Sequence, residues 1–139
     1  MDTDHSVFTV TTHEGSYDLT ASIRFIGKDI LIAVWGGDTP HIGAVATSQS
    51  QESIVNPKKN NATVSIFCFP GHMEDRLIKP IAEKVALFSE SNVVVTGGTH
   101  WNNIDNVGIQ KVLKNGHVLA DLIMKILLEN RKQLMKVEP

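Results

Sequence analysis

The chain has 139 residues, 42% hydrophobic and 20% charged, an ordinary globular composition at a length that buries roughly two-thirds of the unfolded surface. Its net charge is −2 at pH 7 and no run of basic residues exceeds Lys58-Lys59, so there is no basic footprint for nucleic acid. No apolar run approaches the ~18 residues of a membrane helix, and the single cysteine, Cys68, allows neither a disulfide framework nor a cysteine-based zinc site.

In chain order, the N-terminus MDTDHSVFTV is acidic and lacks the basic-then-apolar layout of a secretory signal. A cytoplasmic, reduced, single domain over residues 1–139 is the expectation. Residues 7–12, rich in Val, Thr and Phe, predict a strand. In 16–26, Tyr17, Leu19, Ala21, Ile23 and Phe25 alternate with Asp18, Thr20, Ser22 and Arg24, the period of a half-buried antiparallel strand. A turn at Gly27-Lys28 leads to Asp29–Trp35, which is apolar on both faces and so predicts a central strand. Further strands are expected at 42–48 and 62–69, separated by the polar stretch 48–61, the longest loop candidate.

The period changes after Pro70. Leu77, Ile78, Ile81, Ala82, Val85 and Phe88 recur at helical spacing and predict an amphipathic helix over 73–89. Pro80 inside it predicts either a kink or a later start near Lys79. SNVVVTGG reads as a short buried strand at 92–96, followed by a short helix over Asp105–Leu113. A longer helix at 116–131 carries Val118, Leu119, Leu122, Ile123, Ile126 and Leu127 on one face. This order predicts an α+β fold, a mainly antiparallel sheet with helices packed on one face.

Glycine and histidine come together three times: GGDTPHIG at 36–43, FPGH at 69–72 and TGGTHW at 96–101. If strand direction alternates, all three clusters arrive at one rim of the sheet. Glycines let backbone N–H groups approach a ligand, and helix starts near Met73 and Asp105 attract phosphate. Imidazoles add donors or acceptors near neutral pH. Trp35 and Trp101 offer flat faces for stacking. A ring-bearing phosphate is the ligand such a rim suits.

Each piece has a plainer reading. Gly-Gly after a strand is usually a loop, Gly43 a bulge, and His72 a helix cap. Glu74 and Asp75 read as favourable first-turn charges, and Cys68 as a small buried hydrophobe. His5, His13 and His117 read as surface residues. No nucleophile elbow, P-loop, dinucleotide fingerprint or HExxH zinc motif is present. His41, His72 and His100 would make an open three-histidine metal site only if three separate loops converge.

The segments GGDTPHIGAVA, NATVSIFCFPGHMEDRL and VVVTGGTHWNNID, in this order and near this spacing, resemble the small prenylated-flavin chaperones of the LpdD type. The resemblance covers roughly residues 16–128, and GG-x-x-PHIG is its most specific part. These proteins accompany UbiD-like aromatic acid decarboxylases, notably gallate decarboxylase. The resemblance implies a non-catalytic homodimer with a fold similar to small proteasome-assembly chaperones. It also implies binding of reduced prenylated FMN and delivery to an apo-decarboxylase, which matures the flavin oxidatively. Carried over by motif, the ligand loop comprises Gly36, Gly37, Pro40, His41 and Gly43, joined by Gly71 with His72 and Gly98 with His100. Asp38 and Trp101 complete the candidate set. Two alternatives stand beside this: a three-histidine metal-dependent enzyme acting on a small aromatic acid, and a flavin-free subunit-assembly factor.

Overall fold

The period-two alternation before residue 37 is realised as an antiparallel pair, and the 3.6-residue period after 74 as two helices on one side of it. The computed structural model describes residues 6–52, 60–71 and 74–130. β1 (Val7–Thr11), β2 (Thr20–Ile26) and β3 (Asp29–Gly37) form a meander, and β4 (Ala44–Glu52) pairs with β5 (Asn60–Cys68) as a second antiparallel hairpin. β6 (Asn92–His100) inserts between the two, parallel to β3 and antiparallel to β4. The sheet order is therefore β1-β2-β3-β6-β4-β5. The helices are α1 (Asp75–Ser89) and α2 (Asn106–Glu129). This is the expected α+β arrangement, and β3 is central as its two apolar faces require.

The helices cover one face. Ile23 and Phe25, Ile32 and Val34, Val93 and Val95 join Leu77, Ile81 and Val85 of α1 and Leu119, Ile123 and Leu127 of α2 in one buried core. Each such side chain contributes about 1.5–3 kcal/mol relative to exposure. The opposite face carries a strip set by register: Leu31 beside Val94, Ala33 beside Thr96, then Val45 and Phe67 in line, with Trp35 beside Gly98. No described helix covers that strip, and Phe67 is 59% exposed.

Four expectations need correction. The second helix is not broken near 114: α2 runs unbroken from Asn106 to Glu129. Its weak helix formers Asn115 and Gly116 are retained for packing, since a Cβ on Gly116 would lie 2.7 Å from Leu77 Cδ1. α1 starts at Asp75 and runs through Pro80, so the later start near Lys79 is not taken. The strand at 92–96 continues to His100, which puts Gly97 and Gly98 inside the sheet instead of in a loop after it. The polar stretch 48–61 is partly strand, with β4 reaching Glu52 and β5 starting at Asn60. Tyr17 precedes β2 with a positive φ of 56°. The expected helix start at Met73 lies outside the described residues, as do His5 and His72.

Candidate functional site

β3, β5 and β6 run in the same direction, so the segments that follow them meet at one rim, as the parity argument requires. The turn after β3 is long because it is tied at several points. Gly37 has φ +95°, and a Cβ there would fall 2.1 Å from the His100 carbonyl oxygen. The N–H groups of Asp38 (2.6 Å) and Thr39 (3.3 Å) both donate to that same oxygen. The Asp38 carboxylate accepts from the Asn102 N–H at 2.9 Å. Gly43 donates to the Gly97 carbonyl at 2.9 Å and accepts from the Phe69 N–H at 2.8 Å. The turn thus locks the ends of β3, β5 and β6 together.

His41 closes the turn onto α1. Its Nε2 lies 2.9 Å from Oε1 of Glu74, the N-cap of α1, and its Nδ1 lies 3.1 Å from the Thr39 carbonyl. Glu74 is buried, at 9% exposure, and fills the space a Gly43 Cβ would need, with Oε2 only 2.4 Å from that position. Burying a carboxylate is costly unless it is hydrogen-bonded, and the imidazole supplies such a bond.

Beside this pair, on the helix face, is a cavity of about 270 Å³. Glu74, Arg76 and Leu77 of α1 form one wall, and Thr99, His100 and Trp101 at the end of β6 another. Ile104, just ahead of α2, and Ile109, Val112 and Leu113 in its first turns complete the lining. Trp101 packs edge-on to Tyr17, with ring centroids 5.3 Å apart. Its Cη2 lies 3.3 Å from where a Gly36 Cβ would sit. Trp35 points to the opposite face of the sheet, so the two tryptophans do not form one stacking platform.

The loop carrying Tyr17 is built from polar contacts. Thr12 Oγ1 donates to Asp18 Oδ1 at 2.7 Å and accepts from the Leu19 N–H at 2.9 Å. The Thr12 hydroxyl, then the Glu14 N–H, hold the Asp18 carboxyl below its usual value of 3.8. Buried Asn115 of α2 donates to the carbonyls of Ser16 (2.9 Å) and Tyr17 (2.8 Å). Asn115→Leu is expected to cost about 1–2 kcal/mol, because it removes both bonds. Urea unfolding followed by tryptophan fluorescence checks this, and an unchanged midpoint would mean the loop is held by other contacts.

The rim therefore gathers Gly36, Gly37, Asp38, Pro40, His41, Gly43, Gly98, His100 and Trp101. Gly71 follows β5 on the same rim, exposed, with φ +84° and nothing within 4 Å of its Cβ direction. His72 lies outside the described residues. Glu74, Arg76, Tyr17 and Asn115 were not on the candidate list. Glu74 reads as an ordinary first-turn charge, and only the +33 residue contact to His41 gives it its role. Both helix starts already carry carboxylates, Glu74 on α1 and Asp105 on α2, where Asp105 accepts from the Gly108 N–H at 2.8 Å. Among the described residues no group of three or more His, Cys, Asp or Glu is placed to hold a metal ion. No described helix is long and apolar enough to cross a membrane.

Comparison with known proteins gives three findings. The family model for the prenylated flavin chaperone LpdD-like domain matches residues 13–128. Protein LpdD of Lactiplantibacillus plantarum (strain ATCC BAA-793 / NCIMB 8826 / WCFS1) is 29% identical over 104 residues, 73% of this chain and 71% of the relative. The crystal structure of a chaperone complex for yeast 20S proteasome assembly contains a chain that superposes with a TM-score of 0.48 at 12% identity. That superposition covers 83% of this chain and 98% of that one.

Proposed function

Because the chain belongs to the prenylated flavin chaperone LpdD-like family, we propose that it binds reduced prenylated FMN and delivers it to an apo UbiD-like decarboxylase of the gallate decarboxylase type. The protein is a carrier in this reading, cytoplasmic and without chemistry of its own on the flavin. The observation that carries it is the family match over 13–128, which spans every element that builds the rim.

The site chemistry fits such a ligand. A flavin phosphate presents a flat ring and an anion, and the rim offers an apolar cavity beside Trp101 with Arg76 at its wall. The candidate set Gly36, Gly37, Asp38, Pro40, His41, Gly43, Gly71, His72, Gly98, His100 and Trp101 forms the neighbourhood of the ligand. The glycines let the turn and β6 close up. A second copy of the chain packs on the uncovered sheet face, where Leu31, Val94, Val45 and Phe67 align.

Anaerobic calorimetric titration with reduced prenylated FMN, reduced FMN and oxidised FMN tests the proposal, with light scattering on the same sample for the dimer. Tight binding of the prenylated reduced form, and activation of apo-decarboxylase on mixing with loaded protein, are expected. A protein that binds none of the three flavins is not this carrier, and a monomer at all concentrations removes the dimer.

A further inference from the structure

Four of the glycines on the rim leave no room for a ligand at their own Cα. A Cβ at Gly36, Gly37, Gly43 or Gly98 would lie within 2.9 Å of other protein atoms, which are backbone at Gly36, Gly37 and Gly98 and the Glu74 carboxylate at Gly43. A flavin ring, far larger than a methyl group, needs space that the turn itself does not have. The cavity of about 270 Å³ between α1, the end of β6 and α2 does have it.

We propose that this cavity receives the ring-bearing apolar end of the flavin, with the Arg76 guanidinium at its wall engaging the phosphate. The inference rests on the flavin-carrier reading and deepens it. Leu77, Ile104, Ile109, Val112 and Leu113 give the cavity an apolar lining, and Trp101 supplies an aromatic wall. Its volume lies just below the roughly 300–1,000 Å³ of complete ligand pockets. It therefore holds one ring system and leaves a phosphate-bearing tail at the mouth. Arg76 is exposed, and among the described residues it has no ion pair with a carboxylate. A guanidinium in that state is suited to bidentate phosphate recognition. Glu74, the acidic residue in the same wall, is bonded to His41 at 2.9 Å, which offsets its repulsion of an anion.

The test uses full-length protein and anaerobic titration with reduced prenylated FMN and with its dephosphorylated analogue. Arg76→Gln is expected to weaken the phosphorylated ligand about tenfold or more and leave the analogue unchanged. Leu113→Trp, which fills the half-buried end of the cavity, is expected to weaken both, with Ile109→Trp as a second filling variant should the first fold poorly. In a Trp35→Phe background the remaining Trp101 emission is expected to be quenched on binding. Wild-type affinity in Arg76→Gln and in the folded filling variants would overturn the cavity assignment and leave the flavin reading intact. Absence of flavin binding by the unmodified protein would overturn both.

Discussion

Gly98→Ala is expected to lower stability by about 3 kcal/mol or more. The added Cβ would meet the His41 carbonyl oxygen at 2.1 Å, its carbon at 2.7 Å and the Gly43 nitrogen at 2.8 Å. All three are backbone atoms, so no side-chain rotamer relieves the clash. β6 and the 41–43 segment must separate, and the bond from the Gly43 N–H to the Gly97 carbonyl is strained with them. A fall in melting temperature on the order of 10 °C follows for a domain of this size. Gly71→Ala is the control. Its φ of +84° is unfavourable for alanine, but its surroundings are open, so only backbone strain of about 1 kcal/mol is expected. Urea denaturation of both variants separates the causes. Equal losses would mean that crowding at the rim is not what keeps Gly98 a glycine.

That contrast also shows what could be read from the residues and what could not. The alternation through Ala21, Ile23 and Phe25 and the helical spacing of Leu77, Ile81 and Val85 reflect burial on one face, which is a local signal. Strand direction follows from counting connections, so the gathering of the glycine and histidine clusters at one rim was legible. The motifs GG-x-x-PHIG, GH-x-x-D and G-x-H identified a family that the match over 13–128 bears out. What stayed hidden depends on contacts across long stretches of chain. Asn115 and Gly116 read as a helix boundary because both are weak helix formers. One of them ties down a loop 98 and 99 residues away in sequence, and the other admits Leu77. Arg76 carries no signal of its own in the sequence, and only the cavity beside it distinguishes it. The glycines were read as ligand-facing, yet the structure also gives each of Gly36, Gly37, Gly43 and Gly98 a packing reason, because tight backbone approach and ligand approach call for the same residue.

His41→Ala is expected to reduce stability and flavin affinity together. Both ring nitrogens face oxygens of the protein itself, the Thr39 carbonyl at 3.1 Å and Glu74 Oε1 at 2.9 Å. Truncation removes a hydrogen bond to a buried carboxylate, a loss of about 2–3 kcal/mol. It also leaves the Glu74 charge less offset in the cavity wall it shares with Arg76, which disfavours an anionic ligand. A double-mutant cycle with Glu74→Ala is expected to give a coupling energy of about 1–3 kcal/mol. A coupling near zero would show that the 2.9 Å contact carries no energy. His41→Gln keeps an N–H donor for Glu74 and is expected to recover most of the stability. Affinity for reduced prenylated FMN is expected to recover with it, which makes His41 a positioning residue that holds the turn against α1. A stable Gln variant that still fails to bind would instead put the imidazole in direct contact with the flavin, because nothing but the lost ring would then separate it from the unmodified protein.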